Sequence, residues 1–119
     1  MLEPVTPVEL DKLLTGDTPV AVCFSATWCG ACRQTTPTLE TASERFGKGE
    51  VLFAVLDVDA PGGREACRRY QVRNLPTVIV FRDQSIAGRR VGVQSLMQLT
   101  NWINVHLLAH GEATALPEE

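Results

Sequence analysis

Long apolar runs alternate with helical spacing in the first half of this chain. Val20 to Ala26 is an almost unbroken apolar run, and so is Val51 to Val58. The first reads as a buried strand, and the second, apolar on both faces, as a strand covered on both faces, which implies a central position in a sheet. Between them the apolar spacing changes to three and four. Leu39, Ala42 and Phe46 share one face of a helix expected from about Cys29 to about Phe46. Pro37 lies inside that helix and is expected to kink it, because proline removes one intrahelical bond and crowds the preceding turn. Gly47-Lys48-Gly49 stops it. Strand, helix and strand of these lengths form a right-handed βαβ unit with parallel strands.

The flanks follow the same logic. Leu2 to Val5 reads as a short strand that Pro4 confines to an edge. Thr6-Pro7-Val8-Glu9 has the form of a capping box with proline at the first helical position. Val8, Leu10, Leu13 and Leu14 then give a short helix its buried face, ended by Gly16-Asp17. After the second strand, Asp59 to Gly63 is a loop and Arg64 to Tyr70 a short helix with Ala66, Cys67 and Tyr70 inward. Val78 to Phe81 is a strand, Arg82 to Ser85 a hairpin turn, and Ile86 to Gly92 its antiparallel partner. Ser95-Leu96-Met97-Gln98 repeats the capping-box form, and Leu96, Leu99, Trp102, Ile103, His106 and Leu107 trace a closing helix. Gly111 to Glu119 is polar and is expected to fray.

Composition narrows the class. A chain of 119 residues, 45% hydrophobic, makes one domain with a real core, expected over residues 1–110 with a polar tail at 111–119. A net charge of −3 and the absence of basic clusters beyond Arg68-Arg69 and Arg89-Arg90 give no sign of a nucleic-acid partner. No apolar run reaches the ~20 residues of a membrane span. Met1-Leu2-Glu3-Pro4 lacks the basic and apolar regions of a signal peptide, so a cytoplasmic location is expected. In a reducing compartment, four cysteines suggest one reactive pair and two packing residues rather than structural disulfides.

The chemistry concentrates at Trp28-Cys29-Gly30-Ala31-Cys32, where the first long strand hands over to the helix. A helix N-terminus carries partial positive charge and unpaired N–H groups, and both favour a thiolate at Cys29. The thiolate is the attacking species in disulfide exchange. Cys32 lies one turn deeper and suits a resolving thiol. A zinc site would need a second paired spacing, which Cys23, Cys67, His106 and His110 do not supply, so no metal is expected.

Taken with Pro37, Asp59, Leu75-Pro76-Thr77 opening the third core strand, and Gly92 in the last, this order of elements resembles the thioredoxin family. The match runs from about Leu10 to about Leu108. It implies an α/β thioredoxin fold, with a central mixed sheet of four to five strands flanked by about four helices. It also implies a protein-disulfide reductase in which Cys29 attacks a substrate disulfide and Cys32 displaces the product. Pro76 would be cis beside the pair, leaving the Leu75 backbone to receive an extended substrate segment. Trp28, Gly30, Ala31, Leu75, Pro76, Gly92 and Val93 would form the substrate-binding surface around Cys29. The implied partners are protein disulfides and an upstream disulfide reductase; a monomer without cofactor is expected.

Three positions depart from the family pattern. Cys23 stands where a buried aspartate is usual, Val55 where its lysine is usual, and Ala31 where proline is common between the cysteines. Loss of two ionisable groups makes the ground beneath the pair more apolar, which raises a thiol's pKa. Slower resolution by Cys32 is the expected result. Cys23 and Cys67 themselves read as small buried hydrophobes. Asp57 and Asp59 read as solvated loop acids, and Trp102 as packing. A second reading keeps the fold but makes the protein an interaction or chaperone-like module with weak redox activity. A third, an oxidase or isomerase, requires an oxidising compartment.

Overall fold

The computed structural model describes residues 2–108; the proposed tail at 111–119 and His110 lie outside them. The strands are β1 (Leu2–Val5), β2 (Val20–Ser25), β3 (Leu52–Asp57), β4 (Thr77–Arg82) and β5 (Ser85–Val91). The helices are α1 (Pro7–Leu14), α2 (Gly30–Ser43), α3 (Gly63–Tyr70) and α4 (Leu96–Ile103), the last continued by a π-helical turn over Asn104–Leu108. The five strands form one mixed sheet in the order β1-β3-β2-β4-β5.

The sheet order explains the apolar runs. β2 pairs parallel with β3 and antiparallel with β4, so it lies in the middle with Val20 to Phe24 wholly buried. Val20, Val22 and Phe24 pack in one apolar cluster with Leu10 of α1 and Ala66 of α3. Ala21 and Cys23 pack on the opposite face with Leu39 of α2 and Leu99, Trp102 and Ile103 of α4. The result is helix, sheet, helix in three layers. Pro4 sits in the edge strand β1, where a missing N–H is tolerated. At the other edge, β5 turns back from β4 through Asp83 and Gln84, with φ of 55° and 66°. Two successive left-handed residues match the twist of a tight hairpin.

Local capping sets the helix starts. Thr6 and Glu9 form a reciprocal capping box at α1, and Ser95 and Gln98 form another at α4. α2 stops at Ser43 rather than near Phe46. Phe46 still reaches the core from the following turn, where its ring lies 5.7 Å from that of Phe53. The helix runs on through Pro37. Thr35, Thr36 and Thr38 donate their hydroxyls to the carbonyls of Ala31, Cys32 and Gln34, on either side of the Arg33 carbonyl that Pro37 cannot serve.

Gly63 is a constraint that local pattern does not reveal. A Cβ there would lie 2.3 Å from the Val58 carbonyl oxygen, which is backbone and cannot swing away. Gly63→Ala is therefore expected to lower stability by about 1–3 kcal/mol, the usual range for overpacking. Urea unfolding followed by circular dichroism checks this, and an unchanged midpoint would contradict it.

Candidate active site

Parallel pairing of β2 with β3 brings their C-terminal ends side by side, and the loops that follow share one end of the sheet. The loop after β2 carries Trp28 and Cys29; the loop after β3 carries Asp59. Cys29 is the N-cap of α2, and its Sγ accepts the Cys32 backbone N–H at 3.2 Å. A sulfur thus occupies the place where serine or aspartate usually satisfies the first free N–H groups of a helix. Cys29 is 8% exposed and Cys32 1% exposed. The two cysteines differ in access as their positions on the helix suggest.

Burial pushes the Cys32 thiol up from its ordinary value, helped by the Cys29 sulfur beside it. The Ser25 hydroxyl and the Ala26 backbone oppose that shift. Cys23 is deeper still. It is fully buried, in register with Val55 on one side and Val78 on the other, and desolvation pushes its thiol up to about 12. Charge on Cys32 or Cys29 would push it the same way. This supports the reading of Cys23 as a buried hydrophobe in an apolar floor.

The remaining candidate residues gather nearby. The Leu75–Pro76 peptide bond is cis. Pro76 is buried, while Leu75 and Ala31 are half-buried against the cluster that contains Cys29 and Cys32. The Gly92 N–H donates to the Pro76 carbonyl at 2.9 Å, which ties the end of β5 to the turn before β4. Gly92 has a φ of +91°, a conformation that favours glycine. Val93 follows it and is half exposed. At Gly30 an added Cβ would meet nothing within 4 Å, so its own fold does not demand glycine there.

Trp28 is 66% exposed, yet it is held. Its indole Nε1–H donates to Asp59 Oδ2 at 2.7 Å, and Arg64 donates to Asp59 Oδ1 at 2.9 Å. Those two contacts, the Arg64 bond foremost, hold the Asp59 carboxyl below its usual range. Asp59 is thus the anchor of the tryptophan rather than a merely solvated loop acid. The clue in the sequence was topological: an acid just past a strand parallel to the one that leads into Trp28. Cys67 is half-buried on α3, and its thiol is raised by burial. Trp102 is buried and is packing. Among the described residues, no group of three or more His, Cys, Asp or Glu lies together in a way that could hold a metal ion.

A three-layer fold with a Cys-X-X-Cys pair capping a helix beside a cis-proline turn defines a thiol–disulfide oxidoreductase of the thioredoxin class. The thioredoxin family profile matches residues 2–105, and the chain belongs to that family. It is 38% identical over 84 residues to a thioredoxin of Mycoplasmoides gallisepticum, covering 71% of this chain and 80% of that one. Over 104 residues it is 30% identical to protein disulfide-isomerase 1 of Dictyostelium discoideum, covering 86% of this chain but 29% of that longer protein. A solved structure, a mutant thioredoxin from Halobacterium salinarum, superposes with a TM-score of 0.75 at 31% identity, covering 88% of this chain and 91% of that one. Family membership implies protein disulfides as substrates. No helix among the described residues is long and apolar enough to cross a membrane.

Two measurements check the site. Because the folded-state pKa of Asp59 is depressed, its contribution to holding Trp28 is present above the ordinary carboxylate value of ~3.9 and is lost as pH falls below it. In a Trp102→Phe background, Trp28 emission is expected to stay constant down to about that pH and change below it, and Asp59→Asn should remove the transition. Alkylation of the native protein near neutral pH is expected to modify Cys29 first and to leave Cys23 unmodified until denaturant is added. Early labelling of Cys23 would contradict its place in the core.

Proposed function

We propose that the protein reduces protein disulfides, with Cys29 as the attacking thiol and Cys32 as the resolving thiol. The observation that carries this reading is the seat of Cys29 Sγ at the N-cap of α2, where it accepts a backbone N–H and gains the favourable end of the helix dipole. The Cys29 thiolate attacks one sulfur of a substrate disulfide. A Cys29–substrate disulfide forms and the other substrate sulfur leaves as a thiolate, which takes a proton from water. Cys32 then loses its proton and attacks Cys29 Sγ. The mixed disulfide breaks, the second substrate thiol departs, and a Cys29–Cys32 disulfide remains. Two electrons have passed from the dithiol to the substrate.

In this reading Trp28, Gly30, Ala31, Leu75, Pro76, Gly92 and Val93 form the surface that receives the substrate chain. Gly30 supports it, since open space above its Cα leaves room for an approaching backbone. Return to the dithiol needs an electron donor, so an upstream disulfide reductase is the second partner. Such a cycle belongs in a compartment that maintains that donor, and the reading is of a monomeric cytoplasmic protein whose working unit is residues 1–110.

Reduction of insulin by dithiothreitol tests the reading. The parent protein is expected to accelerate it, and Cys29→Ser to abolish the acceleration. Cys32→Ser should instead accumulate a mixed disulfide with insulin, visible on a non-reducing gel. A parent protein without turnover would favour the docking-module reading.

A further inference from the structure

β5 reaches back to the segment that precedes the cis turn. Arg89 stands opposite Ile79 of β4, whose side chain lies in the apolar cluster of Cys29 and Cys32, so Arg89 is directed to that same face of the sheet. It is half-buried there, and its guanidinium donates to two main-chain carbonyls: Nη2 to Tyr70 at 2.7 Å and Nη1 to Gln71 at 3.1 Å. Tyr70 is the last residue of α3, and Gln71 is its C-cap, with a left-handed φ of 58°. A cation suits the free carbonyls at this end of a helix, and the planar fork of arginine can serve two of them at once. α3 has other anchors. The Tyr70 ring packs 5.4 Å from that of Phe81 and 6.1 Å from that of Phe24, and Arg69 pairs with Asp11 of α1. The Gln71 and Val72 N–H groups close its last turn on the Arg68 and Cys67 carbonyls. What Arg89 adds is a hold on the chain where it leaves the helix, at the start of Val72 to Leu75. That segment is also fixed near its far end, where Thr77 donates its hydroxyl to the Asn74 carbonyl at 2.6 Å and the Gly92 N–H reaches the Pro76 carbonyl at 2.9 Å. Arg89 and Gly92 are three residues apart, so one edge of the sheet grips the segment at both ends.

We infer that Arg89 is a positioning residue for the substrate strand: by holding the Tyr70 and Gln71 carbonyls it sets the course of residues 72–75, and with it the Leu75 backbone offered beside Cys29. The inference rests on the proposed Cys29–Cys32 cycle and its receiving surface, and it deepens both. Arg89 acts through the main chain, not on the sulfurs. Strand addition gains affinity from main-chain hydrogen bonds, and these form at least cost when the receiving backbone is already ordered. A disulfide too small to lie along Leu75 has no use for that order. Arg89 therefore favours extended protein substrates and leaves the intrinsic reactivity of Cys29 alone.

Comparing two disulfides tests it. The reduced full-length protein is mixed with 2-hydroxyethyl disulfide or with an extended peptide that carries a disulfide, and acid-quenched samples give the rate at which the Cys29–Cys32 disulfide forms. Arg89→Met keeps an unbranched stem and removes the donors. It is expected to slow the peptide reaction roughly three- to tenfold, the loss of a doubly bonded charged donor, and to leave the small-disulfide reaction unchanged. Arg89→Lys, able to serve one carbonyl at a time, should fall between the methionine variant and the parent. In the methionine variant the Val72 amide should exchange its hydrogen faster, while the β2 amides keep the parent's rates. Equal slowing of both disulfides overturns the inference, because it reports a general loosening. So does a peptide rate equal to the parent's, a lysine variant no faster than the methionine one, or unchanged exchange at Val72. A parent that reacts with neither disulfide, or a Cys29→Ser variant that still reduces both, overturns the Cys29–Cys32 cycle itself and this inference with it.

Discussion

The structure is arranged around a contact between a sulfur and a peptide N–H: Cys29 Sγ capping the first turn of α2. The strand before it must be buried, so that the chain arrives at the sheet end in a fixed place. The helix after it must start at Gly30, so that the free Cys32 N–H in its first turn reaches the sulfur. The apolar run of β2 meets the first demand and the anchoring of α2 by Leu39 on the opposite sheet face meets the second. Even the back-bonded threonines around Pro37 fit here, since they bridge a discontinuity that proline introduces two turns from the site.

The floor under this contact is unusual in being neutral. Cys23 and Val55 are direct neighbours across β2 and β3. Neither offers charge near neutral pH, and the effect falls mainly on Cys32, which is buried and whose thiol is raised for that reason. Access and desolvation thus separate two cysteines that stand three residues apart in one helical turn. The influences that oppose the rise at Cys32 come from Ser25, the last residue of β2, and from Ala26 just after it.

Much of this was legible in the amino-acid order. The apolar runs of β2 and β3, the two capping boxes and the strand-to-helix position of Cys29 are local signals, and each corresponds to an observed element. Phe46 shows the limit of such signals. Helical spacing found its buried side, yet the residue reaches Phe53 from a turn after the helix has ended. Asp59 and Gly63 were less legible, because what defines each is a group brought close by tertiary folding: the Trp28 indole for one, the Val58 carbonyl for the other.

The division of the interior into two apolar clusters does not divide the molecule into a working half and an idle one. Cys29 and Cys32 belong to the cluster that includes Leu10 and Ala66, whereas Cys23, the side chain of Leu39 and the α4 residues Trp102 and Ile103 belong to the other. Cys23 lies near enough to Cys32 and Cys29 to feel their charge, and one helix, α2, carries both Cys32 and Leu39. Sites that share partners do not respond independently. Repacking under α4 would therefore be transmitted to the sulfurs through Cys23 and α2, as repacking near α1 and α3 would reach them through Ala66 and Leu10.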